Sequence, residues 1–304
     1  MRRKADPIFL LIVTPILWGA TFPATKLALR RLPVPSFMAW SRGLGVLAII
    51  ALLPVVRSRD VGPTRRFRDV LGPGLVLGTL MFVGYLLQTE GQARTTATNT
   101  GFITGLYVVF APILAALFLR HRIPAAIWLA VLMSLAGLTL LSVAELDALT
   151  LHAGDLLVLA GSVAWAGHIV AVGHFSPRFP GWMLSVAQMG VAGLLHLAAA
   201  LAAGFHVADA LDSRVWPLLV LTGILGSGVA FTIQVVAQRT VTAERAVVLL
   251  AGESLFAAFF AAIWIGERLS LHQWAGAGLV LGAMVYSELS ARRPATPRFD
   301  PAVP

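Results

Sequence analysis

The stretch QTEGQARTTA at residues 88–97 returns 146 residues later as QVVAQRTVTA at residues 234–243. Gln88 falls on Gln234, Gln92 on Gln238, and Thr96-Ala97 on Thr242-Ala243. Carried outward, the same offset sets Ala115-Ala116 on Ala261-Ala262, Arg122 on Arg268 and Trp128 on Trp274, and an offset of 147 sets Trp18 on Trp165. Alanine matches carry little weight in an alanine-rich chain. Gln, Arg and Trp are rare inside apolar segments, so their recurrence at one spacing marks an internal duplication.

The duplicated material is apolar. Of 304 residues, 58% are hydrophobic and 12% charged, and mean hydropathy is +0.84. A soluble domain carries about 25% charge and about 45–50% apolar residues, so most of this chain faces something other than water. A spanning helix needs about 20 apolar residues, and ten runs qualify: Ile8–Leu29, Val34–Val56, Val70–Gln92, Thr96–Leu119, Ile123–Val143, Gly154–His174, Gly181–Gly204, Val215–Gln238, Ala243–Gly266 and Leu269–Ser290. The first follows Arg2, Arg3 and Lys4, as in a signal peptide, but exceeds the roughly 7–15 residues of a signal h-region and reads as an anchoring span. The only polar stretches of any length are 57–69 and the tail 291–304, whose prolines and polarity point to disorder. No cysteine is present, which excludes thiolate metal sites, iron–sulfur clusters and thiol nucleophiles. No cofactor is expected.

Basic residues decide the orientation. With the N-terminus on the cytoplasmic side, the cytoplasmic segments hold sixteen Lys and Arg, including Arg57, Arg59, Arg65, Arg66 and Arg68, against six opposite. That asymmetry puts both termini in the cytoplasm. The net charge of +9 is thereby a topology signal rather than a nucleic-acid signal. Each copy, 8–143 and 154–290, holds five spans, an odd number, so the second must enter the membrane upside down. The fold expected is an all-α integral membrane protein of ten transmembrane helices in two inverted five-helix repeats. Such repeats place a substrate site near the midplane between the halves.

Two motifs carry a family resemblance. Trp18-Gly19-Ala20-Thr21-Phe22, and Glu253-Ser254-Leu255-Phe256-Ala257-Ala258 followed by Gly266-Glu267-Arg268-Leu269-Ser270, resemble EamA-type transporters of the drug/metabolite transporter superfamily. The resemblance spans both copies and comes nearest the YddG-like exporters of aromatic amino acids and related metabolites. It implies alternating access, export across a bacterial cytoplasmic (inner) membrane, and function as a monomer contacting only lipid and a small-molecule substrate, with no nucleic acid. One departure matters: the family often has proline after the glutamate of the ninth helix, where this chain has Ser254. The usual signal for a kink is missing there.

Polar and charged groups at mid-membrane are costly, about 2.5–3.5 kcal/mol for a charge on insertion scales, and so are candidate functional groups. Counted along their spans, Trp18, Tyr107, Trp165, His168, Ser227 and Glu253 fall near the midplane, with Tyr85 slightly outside it. Glu253 is the one carboxylate so placed. It anchors a substrate ammonium group, titrates in proton coupling, or is a buried structural glutamate. In the first copy its position is held by Tyr107. Trp165 and His168, spaced i, i+3, share a helix face, and with Trp18 they form an aromatic wall suited to flat substrates and ammonium groups, or else pack the bundle. The pairs Gln88/Gln92 and Gln234/Gln238 are either latches of two gates or interhelical hydrogen bonds. Arg42, alone inside its span, pairs with Glu90 if their helices meet at one depth. No Ser–His pair, His–Glu metal motif or phosphate loop is present at catalytic spacing, which argues against an enzyme. No ring of charge suggests a channel filter. What remains is a secondary transporter of aromatic and other apolar amino acids, with a multidrug or other metabolite exporter as the alternative and a membrane scaffold behind it.

Overall fold

A computed structural model of the chain describes residues 6–59, 63, 65–142, 153–205, 207, 210, 212–266 and 268–292. The expected disordered tail falls, from residue 293 on, outside the described residues, as does Glu267. Among the described residues every regular element is helical. Thirteen α-helices follow in order: α1 Pro7–Ala28, α2 Val34–Arg59, α3 Leu71–Ala93, α4 Ala97–Gly105, α5 Tyr107–Leu119, α6 Ala125–Ser142, α7 Ala153–Phe175, α8 Gly181–Ala202, α9 Trp216–Leu219, α10 Ala230–Ala237, α11 Ala243–Leu250, α12 Gly252–Trp264 and α13 Leu271–Arg292. A π-helical segment, Val220–Val229, joins α9 to α10. Eight helical stretches are long and apolar enough to cross a membrane by length and composition, and the shorter apolar Ala125–Leu141 lies within α6.

Local chemistry sets several boundaries. Asp6 caps α1 by accepting the Ile8 N–H at 2.9 Å, with Pro7 in the first turn where its missing N–H is harmless. Thr96 caps α4 through the Asn99 N–H at 3.1 Å. Two runs read from the sequence as continuous spans, Thr96–Leu119 and Ala243–Gly266, are each broken. The breaks fall at Leu106 and Ala251, where the ladder shortens to i+3 bonds such as Leu106 N–H to Ile103 O and Ser254 N–H to Ala251 O. Gly105 and Gly252, residues of low helix propensity, flank them. The second break therefore forms without the proline that Ser254 replaces. Likewise Val215–Gln238 is one span in length but winds as a π-helix at its centre, where Ser227 Oγ donates to Thr222 O five residues back at 2.8 Å.

Close approaches at glycines reveal how the helices run. Against α7, α3 is antiparallel: a Cβ at Gly91 would sit 2.5 Å from the Gly154 carbonyl, and one at Gly84 2.8 Å from the Trp165 ring. Along α8, α3 is parallel, with Gly74 at Ala187 and Gly78 at Val191. The π segment runs parallel to α2 in the matching register, with Gly223 at Ser41 and Gly228 at Ala48, and with α10 it packs on α1. Adding 146–147 to α3 and α7–α8, or subtracting it, exchanges these two sets of contacts. The last helices of the two repeats, α6 and α13, lie antiparallel with Gly137 and Gly276 each against the other's carbonyl and Gln273 Nε2 donating to Leu141 O at 2.9 Å.

Candidate substrate-binding site

A partly open pocket lies at the centre of the bundle, enclosing about 390 Å³ when the solvent-open space at its mouth is included. Its wall contains five pairs of positions related by the repeat offset: Trp18 with Trp165, Thr21 with His168, Phe22 with Ile169, Tyr85 with Phe231, and Tyr107 with Glu253. Gln88 and Thr104 complete the lining. Of the residues expected at the site, Trp18, Tyr85, Tyr107, Trp165, His168 and Glu253 thus share one cavity. Ser227 does not line it. It stands behind Tyr85, its Oγ 3.3 Å from the Tyr85 hydroxyl.

Phe231 is the hub of the aromatic wall. Its ring lies 4.7 Å from Trp18, 5.9 Å from Tyr85, 5.7 Å from Trp165 in a stacked arrangement, and 5.5 Å from His168. Tyr85 meets Trp165 edge-on at 4.7 Å. These separations fall in the favourable range for aromatic pairs. Sequence reasoning missed Phe231 because a phenylalanine in an apolar span looks ordinary, yet the offset that aligned Gln88 with Gln234 also aligns Tyr85 with Phe231.

Both tryptophans are held across the bundle by their indole N–H. Trp18 donates to Gly226 O at 2.9 Å and Trp165 to Gln88 Oε1 at 2.6 Å. A Cβ at Gly226 would meet the Thr21 methyl at 2.5 Å, so only glycine permits that approach. His168 places Nε2 3.1 Å from Gln188 Oε1 and leaves Nδ1 without a partner.

The half-helix starts put polar groups at the pocket floor. Tyr107 opens α5 and Glu253 lies in the first turn of α12, where the helix N-terminus favours an anion. The Glu253 carboxyl interacts with the Tyr107 hydroxyl, but Glu253 Oε1 and Tyr107 Oη are both buried without a hydrogen bond of good geometry. A buried acceptor of this kind costs about 1–3 kcal/mol until something donates to it. A ligand ammonium group would.

The four glutamines divide. Gln88 alone lines the pocket. Gln92 Nε2 donates to Phe22 O at 2.7 Å and Gln238 Nε2 to Ile169 O at 3.0 Å, the same bond in each repeat, tying the third helix of a half to its first. Gln234 Nε2 turns to Gln238 Oε1 at 2.9 Å. These three thus make bonds within a half and none between halves. Arg42 does not meet Glu90, which pairs with Arg94 at 3.4 Å. Among the described residues no group of three His, Asp or Glu is placed to hold a metal ion.

The EamA-like transporter family model matches the chain twice, at residues 7–143 and 152–287. An uncharacterized transporter of Archaeoglobus fulgidus is 29% identical over 279 residues, covering 92% of this chain and 84% of that protein. The uncharacterized transporters YyaM and YcbK of Bacillus subtilis are each 26% identical, over 50% and 45% of this chain and 50% and 46% of their own lengths. A solved crystal structure superposes with a TM-score of 0.76 at 18% identity, covering 96% of this chain and 98% of that one, a likeness of fold. Two family matches that between them take in nearly the whole chain leave one assignment: this protein belongs to the EamA-like transporter family.

Proposed function

We propose that this transporter is a secondary carrier that moves small molecules bearing an aromatic or other apolar side chain and an amino group, amino acids first among them, outward across a bacterial cytoplasmic membrane. It works by alternating access. Its frame is ten transmembrane helices in two inverted five-helix halves, 8–143 and 154–290, with both termini cytoplasmic and the monomer as the working unit.

The observation that carries this reading is the paired lining of the pocket. A cavity whose wall is built from repeat-related positions faces one compartment when one half adopts a shape and the other compartment when the halves exchange shapes. The antiparallel α6–α13 contact and the exchanged contacts of α3 and the π segment support the inversion. The aromatic wall supplies flat apolar contact, and Glu253 with Tyr107 supplies an anionic anchor for the ammonium group. The half-buried rim of the pocket, Thr21, Tyr85 and Gln88, comes wholly from the first half, and the basic-residue asymmetry turns that rim outward.

The test is flux in proteoliposomes holding only this protein, with a panel of labelled amino acids and aromatic amines. A carrier gives saturable uptake accelerated by substrate on the opposite side. Unsaturable flux, or none for every aromatic compound, would overturn the reading. The alternative, a multidrug exporter, draws on the same rings and single carboxylate, and would take lipophilic cations without regard to a carboxylate on the substrate.

A further inference from the structure

That alternative turns on a residue outside the pocket lining. Arg42, on α2, is 3% exposed, and guanidinium stays charged inside proteins. Burying an ion costs several kcal/mol unless an opposite charge and hydrogen bonds compensate it. Here they do not. Among the described ion pairs none includes Arg42. Its Nη2 reaches the neighbouring Ser41 Oγ at 3.1 Å, while Nε and Nη1 are buried with no hydrogen-bond partner. Tyr85 is what faces it: the guanidinium carbon lies 3.6 Å from the ring centroid, and the Tyr85 side chain adds an interaction short of a hydrogen bond of good geometry to Nε or Nη1.

Tyr85 is therefore a partition. Its ring lines the pocket on one side, edge-on to Trp165, and carries the buried cation against it. Its hydroxyl lies 3.3 Å from Ser227 Oγ, beyond the roughly 2.5–3.0 Å of a good O–H···O bond, so the ring is only weakly held. The nearby His196 offers Arg42 no charge compensation. Its Nδ1 is engaged by Ala192 O at 2.7 Å, and its ring packs on Phe82 and faces Tyr85.

We propose that Arg42 is the carboxylate receptor of the transport site, covered by Tyr85 in this structure and uncovered when that ring turns aside. An Arg fork with two free donors matches a carboxylate in geometry as well as charge. With Glu253 at the other end, the site is dipolar. Its substrates are zwitterions, an ammonium group at Glu253, a carboxylate at Arg42 and an apolar or aromatic side chain among the rings. This assignment rests on the central pocket being the transport site, and it separates amino acids from the lipophilic amines a multidrug exporter would take.

The probes are L-phenylalanine, 2-phenylethylamine and 3-phenylpropionate, titrated calorimetrically into the purified full chain. Wild type should bind phenylalanine tightest. Arg42→Gln should weaken phenylalanine and phenylpropionate by 10-fold or more and change phenylethylamine by less than 2-fold. Arg42→Lys, which keeps the charge and guards against misfolding, should recover part of the loss for the two acids alone. Equal weakening of all three probes, or of none, would overturn the assignment. If wild type binds phenylethylamine but neither acid, Arg42 is not a receptor while the pocket reading stands. If it binds none of the three, pocket and receptor fall together.

Discussion

The third helix of each half is the same rod put to different use. In the first half α3 is a regular helix that drives Gly84 and Gly91 into α7 and extends Gln88 across to the Trp165 indole. In the second, the corresponding rod is π-wound from Val220 to Val229, presses Gly223 and Gly228 into α2, and offers Trp18 a backbone carbonyl at Gly226. Gln234, the counterpart of Gln88, is buried and turned onto its own helix. Conserved between them is the scaffold bond, Gln92 to Phe22 O and Gln238 to Ile169 O. On the surface facing the pocket the two rods differ, with Tyr85 and Gln88 on one and Phe231 on the other. Under the proposed exchange of shapes, the frame keeps its internal ties alike, while the binding surface is free to be polar on one side and apolar on the other.

The largest effect expected from this contrast is at Tyr107 and Glu253, the two occupants of one repeat position. Glu253→Gln removes the carboxylate that would accept from a substrate ammonium group, and hydrogen bonds to charged groups are worth about 1.5–3 kcal/mol. The KM for an aromatic amino acid should rise roughly 10- to 150-fold. Tyr107→Phe removes a neutral hydroxyl worth about 0.5–1.5 kcal/mol, a change of roughly 2- to 10-fold. Proteoliposome kinetics would check both. Equal effects would mean that the two positions act alike and that the carboxylate has no special role.

Next come the two glutamines. Gln88→Ala takes away the acceptor in the part-buried bond that fixes the Trp165 N–H and should reduce transport by an amount worth about 1 kcal/mol, the ordinary net value of a hydrogen bond. Gln234→Ala breaks only the link to Gln238 and should leave KM within 2-fold. The chain has no cysteine, so single Gln88→Cys and Gln234→Cys variants can be labelled without background. An impermeant thiol reagent added outside intact cells should reach the first and spare the second. The reverse pattern would turn the pocket to face inward.

Much of this frame was legible because rare residues mark it. Trp18 and Trp165, Gln92 and Gln238 are costly in an apolar span, so their spacing survives as a signal, and apolar runs can be counted directly, eight helical stretches among the described residues being long and apolar enough to cross a membrane. The helix breaks at Leu106 and Ala251 were not legible, since a broken span and a whole one have the same composition and the expected proline is absent. Nor was the π-helix, which depends on packing of Gly223, Gly226 and Gly228 against particular neighbours. Phe231 was hidden because its residue type says nothing by itself. Arg42 stood out as a lone charge, but its contact with Tyr85 depends on how deep two helices cross, and a chain of letters does not give depth.

A smaller contrast lies where α5 and α12 end. Arg120 has φ +54° and its counterpart Gly266 φ +78°, the left-handed conformation that closes many helices. Glycine adopts it freely, whereas a side chain pays about 1–2 kcal/mol. Part of that is offset by the extra entropy glycine loses on folding, about 0.5–1 kcal/mol. Arg120→Gly should thus raise stability by under about 1 kcal/mol, read as a modest rise in melting temperature in detergent. Gly266→Ala should lower it.

The smallest effect concerns a tie that only one half makes. Arg31 and Arg178 are repeat counterparts, but Arg31 pairs with Asp212 at 2.8 Å whereas Arg178 bonds the His174 carbonyl at its own helix end. The counterpart of Asp212 is Arg66, at the cap of the 3₁₀ turn Phe67–Val70, and like charge forbids the matching pair. The Arg214 backbone N–H, followed by the Arg31 guanidinium, holds the Asp212 carboxyl below its ordinary value. A depressed carboxyl pKa stabilises the fold above the unfolded value, near 3.9, and the contribution disappears as pH falls through the lower folded value. At neutral pH Asp212→Asn should therefore reduce the melting temperature slightly, and at a pH below the lowered folded value the variant and wild type should melt together. The pair is exposed, so salt should shrink the difference as well. A gap that persisted in high salt would assign the effect to the cap on Arg214 instead of the link to Arg31, and the two halves would then differ only in how they start a turn.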